Sequence, residues 1–310
     1  MNPKGGTELL KEKLLEKVPA HLFDGINLIT SICDEQMLDP TKINVLWQHL
    51  SYDQPNVTKM TDKKFVDKVD YFVYVSHWQH EKFRYKFNTP LSKSKVIKNA
   101  IEPIPYKNKP KKIKLVYSST PWRGLEVLLR AFEVLDRDDV ELDVYSSTII
   151  YGSDFHKGAD QHYKHLYEKA KSMKNVNYMG YASNEKVREA LTDAHILAYP
   201  SIWEETSCLC AIEAAMAGCS VVTTNYGALY ETLAEWGTFV EFDTDGDALV
   251  KNYVEALNKE IDNFWTTSTQ QRLLDQHVYF SNFYTWDRRA QEWIEFLTKI
   301  QSSRLSNQSN

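Results

Sequence analysis

The stretch that decides the fold of this chain runs from Trp203 to Gly227 and reads WEETSCLCAIEAAMAGCSVVTTNYG. It opens with two carboxylates shortly after Pro200-Ser201, continues through small and apolar residues, and passes a turn at Ala217-Gly218. A run of β-branched residues follows that turn, so the pattern predicts a loop, a helix, a turn and a strand in succession. This order is typical of an αβ unit in a parallel sheet, and it predicts an α/β fold.

Two glutamates in this stretch are spaced as a ligand site requires. Glu205 stands where the helix is expected to begin, and Glu213 follows eight residues later. Eight residues are a little over two helical turns, so both carboxylates are expected on nearly the same helix face. The first N–H groups of a helix form an anion site. Two carboxylates beside such a site suit a ligand with hydroxyls and a phosphate, and a sugar nucleotide has both.

With its flanks, the stretch resembles the E-x7-E signature of family 4 retaining glycosyltransferases (glycosyl transferases group 1), which have the GT-B fold. The resemblance rests on Pro200-Ser201, Glu204-Glu205, Glu213 and the segment AMAGCSVV that ends at Val222. It covers roughly residues 112–297 and, more weakly, 5–105. The two glutamates taken alone would also fit a surface helix with scattered acidic residues.

The chain length and one irregular segment predict the domain organisation. A chain of 310 residues is long enough for two domains, and residues 102–112 contain three prolines and four lysines, which marks a linker. We predict a reduced N-terminal α/β domain on the acceptor side at 1–105 and a C-terminal Rossmann-like domain for the nucleotide sugar at 106–285. A closing helix that returns toward the first domain, followed by a tail, is predicted at 286–310. The resemblance implies that the two domains face each other across a cleft, and that the family's first strand is missing before Gly5-Gly6.

Charge is distributed unevenly along the chain. The net charge is −5, but residues 1–114 carry 20 Lys+Arg against 13 Asp+Glu, while the remainder carries 17 against 29. A basic first half suits an anionic acceptor or a membrane surface, so peripheral membrane contact is one expectation and ordinary solvated lysines are the alternative. The acidic total and the lack of binding motifs argue against nucleic acid as a partner.

The cysteines and the hydropathy predict a cytoplasmic protein. The four cysteines form no C-x-x-C pair and have no metal-ligand spacing, so they are expected to be reduced packing residues. They are Cys33, Cys208, Cys210 and Cys219. No apolar run has the length of a bilayer, and no signal peptide is expected.

A phosphate site is expected at the start of the predicted C-terminal domain. A strand that ends at Tyr117 is followed by Ser118-Ser119-Thr120 and then by Arg123-Gly124 at a helix start. The family has G-R-x(3–4)-K-G here, with both cations on the diphosphate, and this chain lacks the first cation. Arg123 is expected to bind phosphate in bidentate fashion, and hydroxyls such as that of Ser119 would replace part of the missing contacts. A solvated residue at a helix start is the alternative for Arg123.

The resemblance also assigns residues in the N-terminal domain. His49 follows a predicted strand, at the end where ligands bind in open α/β sheets, and it resembles an active-site histidine close to the sugar. A loop histidine with a structural hydrogen bond is the alternative. Gly6 belongs to a glycine pair that opens a helix, with Thr7 as its expected cap, and the family places such a loop at the donor phosphates or the acceptor. Ser76-His77-Trp78 is expected to serve packing and helix capping.

Two glycine turns complete the resemblance in the second domain. Gly180-Tyr181 resembles the family turn whose backbone contacts the nucleobase. Gly227 and Glu231 match part of G-G-x-x-E, where the glycine lets the backbone approach the ligand closely. The Asp-Thr-Asp at 243–245 lies outside this set, so we expect no metal cofactor.

The function implied by the resemblance is sugar transfer from a nucleotide-diphosphate sugar to an unknown glycan, lipid or small-molecule acceptor, with retention of anomeric configuration. Glu205, His49 and Arg123 are the expected catalytic residues, and no residue is expected to act as a covalent nucleophile. Glu205 would contact the sugar 3- and 4-hydroxyls, with Glu204 beside it, and Glu213 the ribose. The other expected donor-binding residues are Thr206, Ser207, Cys208, Ser119, Gly6, Tyr181 and Gly227. A non-catalytic nucleotide-sugar-binding protein and a sugar-nucleotide epimerase are the alternatives.

Overall fold

The computed structural model describes residues 5–149 and 153–308. They form two compact units, an N-terminal unit of Gly6–Glu102 together with the chain from Tyr284 onward, and a C-terminal unit of Pro103–Phe283. Each unit contains one parallel sheet, which confirms the α/β fold class. In the part of the chain that the structure describes, no helix is both long and apolar enough to cross a membrane.

The N-terminal unit is built on a four-stranded sheet in the order β1-β2-β3-β4. Its strand β2 is buried along its whole length, as expected of a central strand covered on both faces. The strands are β1 (Ile26–Thr30), β2 (Ile43–Gln48), β3 (Tyr71–Tyr74) and β4 (Ser94–Val96). The helices are α1 (Gly6–Lys17), α2 (Lys63–Lys68), α3 (His77–Phe87) and α11 (Trp286–Gln308).

The last helix, α11, packs into the N-terminal unit. Trp293 is buried on it and contacts Trp47 of β2 with ring centroids 5.0 Å apart. Arg289 donates to the carbonyl oxygen of Asn99 at 3.3 Å. The chain therefore leaves this unit after Glu102 and re-enters it at Tyr284.

The C-terminal unit is built on a six-stranded parallel sheet in the order β10-β9-β8-β5-β6-β7. The strands are β5 (Ile113–Ser118), β6 (Val140–Tyr145), β7 (Val176–Tyr178), β8 (Ile196–Tyr199), β9 (Ser220–Thr224) and β10 (Gly237–Val240). The helices are α4 (Leu125–Leu135), α5 (Ser153–Ser172), α6 (Asn184–Asp193), α7 (Leu209–Met216), α8 (Leu229–Leu233), α9 (Gly246–Asn263) and α10 (Thr267–Phe283).

Long polar side chains fix the C-terminal end of α7, the helix of the deciding stretch. Lys109 of the linker donates to the carbonyl oxygens of Leu191, Thr192 and Ala217 at 3.1, 3.1 and 3.0 Å. Gln276 of α10 donates to Ala215 and Cys219 at 2.9 and 2.8 Å. Carbonyls at a helix end lack partners within the helix, so these donors hold α7 in place.

At three places the structure departs from the local sequence pattern. The β-prone run Val240–Phe242 is a strand only as far as Val240, and Phe242 lies past β10, where it stacks on Tyr226 with centroids 3.9 Å apart. The polar stretch Ser146–Asp160 is helical from Ser153 on, while 150–152 lie outside the described residues. Helix α1 begins at Gly6, so Thr7 is inside it and does not cap it.

Candidate active site

Glu205 lies in the loop between β8 and α7, and its backbone is fixed by a second loop. It forms an isolated parallel bridge with Gly227, and its carbonyl oxygen accepts from the Ala228 N–H at 2.7 Å. Gly227 has φ +67°, and a Cβ added there would lie 2.5 Å from the Glu205 nitrogen. The close approach that requires this glycine is therefore made to the Glu204–Glu205 backbone, whereas the sequence suggested an approach to ligand.

The helix of the deciding stretch starts later than predicted. Helix α7 begins at Leu209, and Glu205 takes part in a bridge four residues before it. Glu205 and Glu213 therefore do not share a helix face, and that prediction is wrong. The bridge to Gly227 holds Glu205 in an extended backbone, which delays the helix until Cys208 can act as its N-cap, with φ −65° and ψ 99°.

The Glu205 carboxylate is buried and bound by two side chains. Nη1 of Arg123 lies 2.7 Å from Oε1 and 3.0 Å from Oε2. The Tyr199 hydroxyl donates to Oε1 at 2.5 Å. Arg123 was expected to be a phosphate ligand, and here its guanidinium is in an ion pair with Glu205, over the ring of Trp203. Because Glu205 is buried and also accepts from Tyr199, its ion pair with Arg123 has a fixed geometry, unlike a solvated ion pair at the surface.

Two fully buried tyrosines lie at this end of the sheet. Burial and the negative charge of Glu205 raise the pKa of Tyr199 well above its usual value, so its phenol stays protonated and remains a donor. Burial likewise raises the pKa of Tyr117, whose hydroxyl donates to the Thr120 carbonyl oxygen at 2.7 Å. The two ring centroids are 5.8 Å apart. Sequence reasoning missed Tyr199, although its position directly before Pro200-Ser201 at a strand end was a usable signal.

Glu213 lies on α7 in surroundings that differ from those of Glu205. Its side chain is half-buried. Burial raises its pKa to about 7, and the positive charge of Arg188 partly opposes this. Near neutral pH the group therefore exists in both protonation states, so it is able to donate to a hydroxyl as well as to accept from one.

Hydroxyl groups at the carboxyl ends of three strands have no hydrogen-bond partner among the described residues. These buried atoms are Ser118 Oγ at the end of β5, Thr120 Oγ1 after it, Ser146 Oγ after β6 and Thr223 Oγ1 in β9. Buried hydroxyls in proteins are almost always hydrogen-bonded. Ser119, the predicted member of this loop, lies beside the phenol of Tyr117.

The remaining predicted donor residues of the C-terminal unit lie on loops. Glu204, Thr206 and Ser207 are half-buried on either side of Glu205, and Cys208 is buried at the start of α7. No side chain caps α7, and the first N–H groups of a helix have no partner within it. Tyr181 is 45% exposed and follows Gly180, which has φ +64°.

His49 and Gly6 belong to the N-terminal unit, which does not contain Glu205. Burial lowers the pKa of His49 to about 3, so the ring is neutral at physiological pH. It contacts the Trp47 ring at a centroid distance of 4.5 Å. Gly6 is the first residue of α1.

The carboxyl edge of the N-terminal sheet contains an amide network that the sequence did not predict. The side-chain nitrogen of Gln79 donates to the carbonyl oxygens of Gln48 and Leu50 at 3.2 and 2.8 Å. Its oxygen accepts from the Val75 N–H at 2.9 Å. Ser76 caps α3 by accepting from the Gln79 N–H, as predicted. Glutamine carries no signal for such a role in one sequence.

A polar cavity of about 340 Å³ lies elsewhere in the C-terminal unit. It is lined by Thr238 near the start of β10 and by residues of α9 and α10, among them Glu260 and Arg272. Arg272 is fully engaged there, with Glu260 at 2.5 Å and Ser220 and the Trp236 carbonyl at 3.1 Å. Glu205 instead follows the carboxyl end of β8, which runs parallel to β9 and β10, so it lies at the opposite end of the sheet from this cavity. The described residues contain no group of three or more His, Cys, Asp or Glu side chains that could hold a metal ion.

Two parallel-sheet α/β units, with a buried ion-paired carboxylate beyond a strand of the second, define a GT-B type protein. The chain belongs to the glycosyl transferases group 1 family, which matches residues 97–274. No curated protein matches it.

Solved structures similar to this chain are glycosyltransferases with low sequence identity. A glycosyltransferase from Rickettsia africae ESF-5 is 14% identical with a TM-score of 0.67, over 97% of this chain and 83% of that one. The pneumococcal O-GlcNAc transferase GtfA, solved with UDP and GlcNAc, is 13% identical with a TM-score of 0.66, over 91% of this chain and 59% of that one. HepE from Anabaena with UDP-glucose is 17% identical with a TM-score of 0.62, over 84% and 72%. These likenesses confirm the GT-B fold.

Proposed function

We propose that this protein transfers a sugar from a uridine-diphosphate sugar to an acceptor, with retention of anomeric configuration, as a family 4 enzyme. The observation that carries the proposal is the Glu205 carboxylate, 5% exposed and bound by Arg123 and Tyr199 beyond the end of β8. Membership of the glycosyl transferases group 1 family supports sugar transfer. Uridine is proposed because GtfA and HepE were solved with UDP.

Each charged group has a distinct proposed role. Glu205 accepts hydrogen bonds from sugar hydroxyls, and Tyr199 and Arg123 fix its orientation because both bind Oε1. Arg123 and the first N–H groups of α7 stabilise the charge that develops on the departing diphosphate, without a metal ion. Glu213 binds the ribose hydroxyls, and its raised pKa allows it to donate or accept there. Ser119 and its neighbouring hydroxyls bind phosphate oxygens, and Tyr181 lies at the base.

The reaction needs no covalent nucleophile in this proposal. The acceptor oxygen attacks the anomeric carbon on the face that the diphosphate leaves, and the leaving phosphate oxygen takes the acceptor proton. Since the pKa of His49 is about 3, the ring acts as a neutral hydrogen-bonding group.

UDP binding is the first test of the donor site. UDP should raise the melting temperature of the wild type, because a ligand that binds only the folded state stabilises it. The same shift should be lost in Glu213→Ala and retained in Glu185→Gln, which changes an exposed glutamate on α6. Failure of every nucleoside diphosphate to shift the wild type would contradict the proposal.

Turnover is tested next with UDP-glucose and UDP-N-acetylglucosamine. Release of UDP in the presence of an acceptor, and its loss in Glu205→Gln, would support transfer. Proton NMR of the product then distinguishes retention from inversion by the coupling of the anomeric proton.

One observation favours a non-catalytic nucleotide-sugar-binding protein as a second candidate. The side chains of Arg123 and Glu205, which are both expected to bind substrate, form an ion pair with each other instead. Under this candidate UDP-sugar binds and stays intact with every acceptor. An epimerase, in contrast, would convert the donor without any acceptor.

We further propose that the protein is cytoplasmic and contacts anionic membranes through a lysine–aromatic surface of Tyr52, Trp78, Lys82, Tyr85 and Lys86. Helical spacing places the last four on one face of α3, while Phe83 and Phe87 are buried on another. Lys82 lies 5.3 and 5.5 Å from the Tyr52 and Trp78 ring centroids, and Tyr85 is 94% exposed. Trp78 is half-buried at the border of this surface, with its ring 6.2 Å from that of Tyr52. Aromatic rings interleaved with lysines suit the anionic headgroup region.

Sedimentation with lipid vesicles tests this contact. The protein should bind phosphatidylserine-containing vesicles and not pure phosphatidylcholine vesicles. Binding should fall in Lys82→Gln/Lys86→Gln and persist in Lys95→Gln/Lys98→Gln, which removes the same charge elsewhere in the basic segment. Equal sedimentation of the two double variants would contradict the assignment.

A further inference from the structure

The start of α7 contains two thiols in direct contact. The sulfur atoms of Cys208 and Cys210 are 3.4 Å apart. Cys208 is buried and acts as the N-cap of the helix, while Cys210 is half-exposed in its first turn. None of the roles proposed above uses the Cys210 thiol, and the sequence indicated only packing residues.

The backbone at this point permits a bond between the two sulfurs. Leu209 between them is helical, and helical geometry sets their Cα atoms roughly 5.4 Å apart, inside the range of protein disulfides. Two residues separated by one position would face apart on a regular helix. Cys208 is outside the helical region, with φ −65° and ψ 99°, so its side chain can turn toward that of Cys210.

From this geometry we infer that Cys208 and Cys210 form an oxidant-sensitive dithiol site, which peroxides convert to an intramolecular disulfide. Cys210 reacts first because it is the more exposed of the two. Its thiolate attacks one peroxide oxygen, the O–O bond breaks, and Cys210 becomes a sulfenic acid while hydroxide leaves and is protonated to water. The Cys208 sulfur then attacks the Cys210 sulfur, the S–O bond breaks, and water leaves with the Cys208 proton. In sum, two thiols lose two hydrogens and one peroxide is reduced to two waters.

The relative reactivity of the two thiols agrees with this order. Burial raises the pKa of Cys208 well above its ordinary value. A buried thiol with a raised pKa is a poor first nucleophile toward a dissolved oxidant. Cys208 instead reacts with a sulfur that it already touches.

The disulfide would change the proposed donor site. The two sulfurs must approach from 3.4 Å to about 2 Å, which moves the first turn of α7. Cys208 also accepts from the Ile212 N–H at 3.2 Å, so the shift reaches the start of the helix. Besides burial, the nearby Glu205 carboxylate raises the pKa of Cys208, and the two cysteines contribute to the raised pKa of Tyr199, so the dithiol lies close to both groups. Since the proposed function places the diphosphate at this helix start, oxidation should block UDP binding, and this second part rests on that function.

Peptide mapping tests the covalent step without any activity. Cleavage after glutamate releases Thr206–Glu213, which contains Cys208 and Cys210 and no other cysteine. After hydrogen peroxide, denaturation and iodoacetamide, this peptide should be two hydrogens lighter than its reduced form and carry no alkyl group. Dithiothreitol should restore two alkylation sites. Two alkylated cysteines after peroxide, or a sulfinic acid on Cys210 alone, would overturn the inference.

Two serine variants provide the controls. Cys210→Ser should yield no disulfide and should keep its UDP-induced rise in melting temperature after peroxide. Cys219→Ser should behave as wild type, because the Cys219 thiol donates to backbone carbonyls at 3.3 Å and has no thiol partner in the described structure. A cross-linked peptide in Cys210→Ser would instead assign the bond to another pair and overturn the site.

UDP binding separates this inference from the proposed function. In the wild type, peroxide should abolish the UDP-induced shift and dithiothreitol should restore it. A disulfide that leaves the shift intact overturns the blocking role. If reduced wild type shows no shift, the proposed function fails, while the peptide mass still decides the dithiol site.

Discussion

The carboxyl edges of the two parallel sheets differ in how their polar groups are satisfied. In the N-terminal unit the edge is closed by neutral groups, with Gln79 bonded to three backbone groups and His49 held neutral by burial. In the C-terminal unit the edge carries the Arg123–Glu205 ion pair together with hydroxyls that have no partner among the described residues. Buried polar groups without partners are costly. Buried hydroxyls without a partner among the described residues also lie at the first edge, at Ser31 and Ser51. The difference between the edges is therefore the buried ion pair, which suits the second edge to a charged or hydroxylated ligand.

Removal of one member of the ion pair should have the largest effect. Arg123→Leu leaves the buried Glu205 carboxylate with the hydrogen bond from Tyr199 but without its positive charge, which we expect to cost about 4 kcal/mol of unfolding free energy. Urea unfolding measures the loss. Arg123→Leu/Glu205→Leu should recover most of it, because no buried charge is then left unpaired. A single variant as stable as the wild type would show that the edge does not depend on this pair.

Gly227→Ala should have the next largest effect, with Gly180→Ala as its matched control. Both glycines have positive φ, +67° and +64°, which costs alanine about 1 kcal/mol. The nearest atom to an added Cβ is 2.5 Å away at Gly227, in the Glu205 backbone, and 3.8 Å away at Gly180. We expect about 3 kcal/mol at Gly227, since the Glu205 loop must move, together with loss of the UDP shift. Gly180→Ala is the control for stability alone, because the Gly180-Tyr181 turn belongs to the proposed base site. If thermal unfolding showed the same loss of stability in Gly227→Ala and Gly180→Ala, the Glu205–Gly227 bridge would accommodate a side chain without cost.

Gln79→Met should separate stability from binding. At the carboxyl edge of the N-terminal sheet, the change leaves two carbonyls and one N–H without their partner on the Gln79 amide. We expect this to lower the free energy of unfolding by about 2 kcal/mol. The UDP-induced rise in melting temperature should be unchanged. Gln54→Met, which removes a single bond to the Ser51 N–H, should cost less. A lost UDP shift in Gln79→Met would contradict the division of roles between the two edges.

Glu213→Gln should have the smallest effect, and one that depends on pH. The folded pKa of about 7 is above the ordinary 4.5, so the folded state retains a proton that the unfolded state has released. The stabilising contribution of this proton is complete below about pH 4.5 and is lost as the pH rises through 7. Glutamine imitates the protonated form, so the variant should gain on the order of 1 kcal/mol over wild type at pH 8 and little at pH 5. Glu185→Gln should show no such trend in melting temperature.

The sequence predicted those features that depend on local patterns. Apolar runs in the sequence coincide with strands such as Ile26–Thr30, Val140–Tyr145 and Ile196–Tyr199, because a buried strand consists of consecutive apolar residues. The start of α7 was wrong because the bridge that delays it joins Glu205 to Gly227, which lies twenty-two residues further along the chain. A single sequence identifies Glu205 and Gly227 as candidate residues, but it does not reveal that they contact each other.

The partners of the site residues show the same limit. Arg123 and Glu205 were each identified, but their pairing depends on how β5 and β8 lie side by side in the sheet. Tyr199 stands at the end of β8, and its hydroxyl bond to Glu205 follows from the turn at Pro200–Ser201, which one sequence does not reveal. Such contacts arise from tertiary geometry, which local propensity does not encode.

The Glu205–Gly227 bridge has a consequence for the natural variation of this chain. Any side chain at position 227 would enter the space of the Glu205 backbone. Positions 205 and 227 should therefore vary together in evolution, although only Glu205 carries a functional group. Replacement of Gly227 would displace the Glu205 carboxylate from its site. A displaced carboxylate no longer serves the site, so selection to keep Glu205 would then weaken. Loss of glycine at 227 among descendants should therefore mark those in which the acidic residue is free to drift.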